Sequence, residues 1–227
     1  MMGSLVVRPE PGNARTLARL RAAGGDALGW PLFAVEPVEW APPDPATFDS
    51  LLVTSAQAIR HAGPQLRMLA MMPVIAVGQA TASVARAAGL QVSITGTRDV
   101  AAVLTTAAEA GLVRPLHLAG RDHVATGSPT AIVYDSVALP VDAAAVAAAA
   151  AGRLVLLQSA RAARRVAALI PQGERHDVSI VALSPAVACA AGSGWRAVAA
   201  AAQPVDATLV ALAQSIDRAA GGGDKTL

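Results

Sequence analysis

The chain states one pattern twice. Leu51-Leu52-Val53-Thr54-Ser55-Ala56-Gln57-Ala58-Ile59-Arg60 is an apolar run that ends in hydroxyl residues and opens a helix, and it returns as Leu154-Val155-Leu156-Leu157-Gln158-Ser159-Ala160-Arg161-Ala162-Ala163-Arg164. A second strand-turn-helix unit follows each copy, Val74-Ile75-Ala76-Val77-Gly78-Gln79-Ala80-Thr81-Ala82 in the first and Ile180-Val181-Ala182-Leu183-Ser184-Pro185-Ala186-Val187-Ala188 in the second. Solenoid repeats recur every 20–50 residues or so, and the period here is longer. The pattern therefore predicts two similar α/β domains with a ligand held between them. A length of 227 residues suits two domains of roughly 100 residues each.

The rest of the chain supplies the missing pieces. Leu5-Val6-Val7 reads as a buried strand and Asn13 to Ala23 as an amphipathic helix ended by Gly24-Gly25. The C-terminal copy opens on a helix, Ala143 to Ala151, and lacks the first strand and helix that a doubly wound domain needs. Residues 1–34 complete it most simply. The expected organisation is a discontinuous first domain of residues 1–34 and 141–220 and an inserted second domain of residues 38–132. Residues 33–38 and 131–139 form two antiparallel connector strands, and residues 221–227 a flexible tail. The expected fold class is α/β, with two similar three-layer α/β/α domains built on parallel sheets.

Composition narrows the function. Over half the residues are apolar, but much of that is alanine, and the chain has only three Trp, two Phe and one Tyr. A net charge of +2 with scattered arginines, and Lys225 as the sole lysine, argues against nucleic acid, which needs a clustered basic face. Arginine does suit a small anionic ligand, because its planar fork of donors matches a carboxylate. The lone Cys189 excludes an internal disulfide and reads as a small core residue. No secretory peptide is visible and no apolar stretch is long enough to span a bilayer, so the expected location is cytoplasmic. His61, His117, His123 and His176 lack metal-ligand spacing, and neither Gly-x-Ser-x-Gly nor Gly-x-Gly-x-x-Gly occurs. Neither metal nor triad catalysis is expected. Arg121-Asp122-His123 reads as a solvated turn with a local ion pair.

Small or hydroxyl residues stand wherever a repeated strand gives way to its helix. Ser55 and Ser159 are placed as N-caps, and Ser184 before Pro185 gives a cap followed by proline at the first helical position. Such helix starts offer free amide donors and a positive dipole end to a carboxylate. The four turns at Ser55, Gly78, Ser159 and Ser184 would lie beyond the carboxyl ends of parallel strands, where α/β domains bind ligands. Thr81 sits in the first helical turn of its unit, while its counterpart Val187 cannot donate a hydrogen bond.

Val6-Val7-Arg8-Pro9-Glu10, Val53-Thr54-Ser55-Ala56-Gln57-Ala58, Ala76-Val77-Gly78-Gln79-Ala80-Thr81-Ala82, Val133-Tyr134 and Ser159-Ala160-Arg161-Ala162-Ala163 together resemble the uroporphyrinogen-III synthase family, in its alphaproteobacterial form. The likeness covers nearly the whole chain in order. It implies a cofactor-free, monomeric enzyme of tetrapyrrole synthesis that cyclises hydroxymethylbilane, with inversion of ring D and loss of water. It also raises transient contact with hydroxymethylbilane synthase. By motif, the family's tyrosine falls on Tyr134, the choice for a general acid, and its threonine on Thr81. Its second threonine falls on Ala186, which has no hydroxyl. Substrate contacts are expected from Arg8, Thr54, Ser55, Gly78, Gln79, Ser159, Arg161, Ser184, Pro185 and Ala186. The competing readings are a two-domain small-molecule-binding protein and a degenerate synthase kept as an interaction domain.

Overall fold

A computed structural model describes residues 2–97 and 99–222. In chain order the elements are β1 (Ser4–Val6), α1 (Gly12–Ala22), β2 (Ala27–Gly29), β3 (Phe33–Pro37), β4 (Ser50–Val53), α2 (Ala56–His61), β5 (Val74–Ala76), α3 (Gln79–Ala87), β6 (Val92–Thr95), α4 (Val100–Glu109), β7 (Pro115–Gly120) and β8 (Thr130–Ala138). There follow α5 (Ala143–Ala150), β9 (Leu154–Leu157), α6 (Ala160–Leu169), β10 (Ser179–Ala182), α7 (Pro185–Ala190), β11 (Ala197–Ala200) and α8 (Asp206–Gly222). The chain divides into two compact units, one of residues 1–34 with 138–227 and one of residues 35–137.

The first unit is built on a five-stranded sheet in the order β11-β10-β9-β1-β2, parallel throughout. β1 lies between β9 and β2, with Leu5 in register with Val155 on one side and Leu28 on the other. A strand in this position is buried on both faces, which is why the sequence reads as a continuous apolar run rather than an alternation. Leu5, Val6 and Val7 are fully buried, and so are Leu154 to Leu157. Odd-numbered residues of β9 meet one core with Val146, Val166 and Trp195, while Leu154 and Leu156 meet another with Leu20, Leu209 and Val210. These two cores make the unit three-layered.

The second unit carries a six-stranded sheet in the order β3-β8-β7-β4-β5-β6. β8, β7, β4, β5 and β6 are parallel neighbours, and their order matches β2, β1, β9, β10 and β11 of the first unit. The repeated motif is therefore a repeated topology, in which β4 stands where β9 stands and β7 where β1 stands. α2 and α3 cover the face of Leu51 and Val53, and α4 covers the face of Leu52 and Ile75. β3 and β8 are antiparallel: the Val38 amide donates to the Val133 carbonyl at 3.1 Å and the Leu139 amide to the Leu32 carbonyl at 3.0 Å, so one number falls as the other rises.

Three expectations change. Cys189 is exposed rather than a core residue. α7 is only six residues long and turns Val187 inward, which leaves Cys189, two positions on, facing out. Arg121 takes its ion-pair partner from Asp135, across the strand pair at 2.9 Å, rather than from within its own turn. The final helix continues through Gly221 and Gly222, the first two residues of the expected flexible tail, whereas Gly223 to Leu227 lie outside the described residues.

Candidate functional site

Parallel pairing fixes where the candidate residues collect. In the second unit every parallel strand ends at one edge, and the turns leaving that edge hold Thr54 and Ser55 after β4, then Gly78, Gln79 and Thr81 after β5. The Ser55 hydroxyl accepts the Gln57 amide at 3.2 Å, a capping bond made possible by the extended backbone at Ser55. Gly78 caps α3 with no side chain, its backbone extended and the space where a Cβ would stand open to 4 Å. Gln79 is exposed, and Thr81 is buried in the first turn of α3.

Tyr134 reaches the same edge from β8, in register with Gly120 at the end of β7. Its ring packs on the α2 and α3 side of the sheet, with the His61 ring 6.3 Å away and tilted by 41°. Burial, and then the charge of Arg60, hold the His61 pKa below its ordinary value. On the same strand Val133 is fully buried and Val137 is exposed.

The first unit gathers the counterpart set. Ser159 accepts the Ala162 amide at 3.1 Å and Ser184 accepts the Val187 amide at 3.4 Å, with Pro185 at the first helical position and Ala186 exposed beside it. Arg161 lies in the first turn of α6, its guanidinium carbon 4.8 Å from the centre of the Phe33 ring, and Arg165 stacks on the same ring at 5.5 Å. Such stacking holds a guanidinium in a fixed plane, and Arg165 in addition donates from Nη2 to the Leu139 carbonyl. Arg8 is placed differently. Its Nη1 donates to Asp206 Oδ1 at 2.8 Å, and Asp206 is shared with Arg19 at 2.5 Å and with the Thr16 hydroxyl at 3.0 Å. That network ties the β1–α1 turn to the start of α8, so at least one donor of Arg8 serves the fold. Burial lowers the Arg8 pKa while Asp206 opposes the shift.

One polar group was not anticipated in the sequence. His117 is fully buried in β7, with Nε2 3.0 Å from Thr54 Oγ1 and Nδ1 3.4 Å from Thr126 Oγ1. The His123 ring stands edge-on at 5.5 Å. Burial above all, and His123 after it, push the His117 pKa down to about 4, so the ring is neutral at pH 7. Thr54 and His117 are 63 residues apart in sequence, and the signal that joins them is strand order, which no local motif carries. Among the described residues no group of three or more His, Cys, Asp or Glu is disposed to hold a metal ion, and no helix is long and apolar enough to cross a membrane.

Comparison with known proteins matches residues 14–126 to the family model described as uroporphyrinogen-III synthase HemD. Among solved structures, a uroporphyrinogen-III synthetase from Helicobacter pylori superposes with a TM-score of 0.67 at 15% identity, over 95% of this chain and all of that one. A mutant uroporphyrinogen III synthase from Thermus thermophilus gives 0.57 at 15% identity, over 97% of this chain and 99% of that one. No curated protein matches. At these identities the superpositions speak for the two-domain α/β fold, and the family model speaks for the sequence. Residues 14–126 thus match the uroporphyrinogen-III synthase family model, and the fold of solved uroporphyrinogen-III synthases extends over nearly the whole chain.

Proposed function

We propose that this enzyme cyclises hydroxymethylbilane to uroporphyrinogen III, inverting ring D and releasing water. The observation that carries the reading is the paired edge. Each unit sets capped helix starts beyond the ends of its parallel strands, with Ser55 and Gly78 in one and Ser159 and Ser184 in the other. A linear tetrapyrrole with eight carboxylates needs many weak, directed donors more than one strong charge. Amide groups at these turns, the Thr54 hydroxyl, the Gln79 amide and the Arg161 guanidinium supply that kind of recognition without a cofactor. Pro185 fixes the backbone of its turn, and Ala186 leaves room where a larger side chain would crowd the ligand.

The chemistry then divides into departure of a hydroxyl and control of which ring carbon attacks. Tyr134 serves the departure, its phenol donating a proton to the leaving oxygen and regaining one from solvent. Thr81, at the start of α3, adds a supporting hydrogen bond. Control of the attack is a matter of conformation, because the substrate also closes without help to the uninverted isomer. Holding the carboxylates converts the favoured ring-D approach into an effectively intramolecular step, and fixed donors stabilise charge as it develops. The reaction uses the chain as a monomer, with hydroxymethylbilane synthase as the supplier of its short-lived substrate.

The test is direct. Hydroxymethylbilane made in situ is incubated with the purified chain, and the products are oxidised and separated as isomers. A predominance of isomer III supports the reading. Isomer I alone, at the rate found without protein, rejects it.

A further inference from the structure

The two units share a topology, so each position in one has a counterpart in the other, and at one pair the chemistry differs. His117 is in register with Leu52 on β4, and its counterpart, in register with Leu156 on β9, is Val6. Val6 is fully buried in an apolar core, so the architecture packs well with a hydrocarbon at that place. Two residues beyond Leu52 stands Thr54, bonded to His117; two beyond Leu156 stands Gln158, whose buried Oε1 and Nε2 find no partner among the described residues. A buried imidazole costs desolvation that a valine does not. Its return is sought in what it does to Thr54.

A neutral imidazole has one donor and one acceptor nitrogen. The Ser128 amide donates to one lone pair of Thr126 Oγ1 at 3.4 Å, and that hydroxyl keeps its own proton to give to Nδ1 of His117, 3.4 Å away. Nε2 then carries the ring proton and faces Thr54 Oγ1 at 3.0 Å. We propose that His117 is a positioning residue for the reaction: it donates from Nε2 to the Thr54 oxygen and so commits the Thr54 hydroxyl proton to point outward, as a donor to a carboxylate of the substrate. Each group in the series is used once, and the open end is a donor at the strand edge. The opposite tautomer would turn the Thr54 proton inward and present lone pairs to an anion. The proposal rests on the reading of Thr54 as a substrate contact.

Two measurements on the full chain test it. Nitrogen-15 NMR of histidine-labelled protein, with the His117 signal assigned by its loss in His117→Gln, is expected to show the Nε2–H tautomer; the Nδ1–H form overturns the proposal. In steady-state kinetics His117→Leu is expected to raise KM for hydroxymethylbilane about tenfold, the scale of one hydrogen bond to a charged group, with kcat within about twofold. His117→Gln, whose amide can reach the place of Nε2, is expected to restore most of the affinity. Thr54→Val is expected to match His117→Leu, and the double variant to be no worse than either. An unchanged KM in a folded His117→Leu, or additive losses in the double variant, overturns the assignment. If His117→Leu does not fold, Thr54→Val with and without His117→Gln decides the coupling. Wild-type chain that leaves the isomer ratio unaltered rejects the proposed function and the substrate half of this proposal together, whereas active wild type with additive variants rejects the proposal alone.

Discussion

Gly120 leaves the space that the Tyr134 ring fills: a Cβ there would stand 2.5 Å from two of the ring carbons. Gly120→Ala is therefore a way to move the phenol without removing it, at a cost of about 1–3 kcal/mol for the crowding. Tyr134→Phe removes the hydroxyl and leaves the packing. If Tyr134 donates the proton, Tyr134→Phe slows formation of isomer III roughly tenfold or more, and Gly120→Ala slows it as well, while thermal melts show only the second to be destabilised. Full turnover by both variants takes Tyr134 out of the mechanism. His117 makes a separate prediction through its ionisation. Its pKa falls to about 4 in the folded chain from an ordinary value of 6.5, so the unfolded chain binds the extra proton first. Stability from this group is complete above pH 6.5 and is lost as pH drops toward 4, by up to about 3 kcal/mol. Urea unfolding across that range is expected to show the slope in wild type and a smaller one in His117→Leu. The remainder includes His61, whose lowered pKa acts with the same sign.

The helix starts carry a prediction each way. Gly78→Ala meets no atom within 4 Å and needs no unusual backbone, so it is expected to be neutral or to stabilise by about 0.5 kcal/mol. A raised KM in that stable variant would mark the open space as filled by substrate, and an unchanged KM removes Gly78 from the contact set. Ser159→Ala loses the bond from the Ala162 amide and is expected to cost about 1 kcal/mol with only partial loss of activity. Complete inactivation of the folded variant would instead make that hydroxyl catalytic. The caps were legible in the sequence because capping is local: Ser55, Ser159 and Ser184-Pro185 declare themselves within a few residues. The fold class was legible for a related reason, since continuous apolar strands alternating with helices admit few architectures. The misses share a different cause. Asp206, 198 positions from Arg8, takes up part of its charge, and Thr54 meets His117 only after β4 and β7 pair. Cys189 was misplaced because an alanine-rich turn has little amphipathic pattern to show which side faces in.

Chain order and spatial order part company most clearly at β1, the second strand from one edge of its sheet although it is the first to be made. It joins β2 to β9, and without it β9 would expose an unpaired edge while Leu5, Val6 and Val7 left both cores. Burying three such side chains is worth about 1.5–3 kcal/mol each, which is a large share of the margin by which a domain of this size is stable. The unit of residues 35–137, by contrast, is continuous in sequence and has its own cores around Leu51 and Leu52. A fragment of residues 35–137 is therefore expected to fold alone with a cooperative thermal transition, while a fragment of residues 138–227 is not. Adding a peptide of residues 1–34 to the latter should restore helical circular dichroism and a melting transition, because it returns the strand that β9 pairs with. Cooperative melting of residues 138–227 by themselves would show that β1 completes a sheet already formed. Failure of residues 35–137 to fold would show that the inserted unit depends on the rest of the chain despite its separate core.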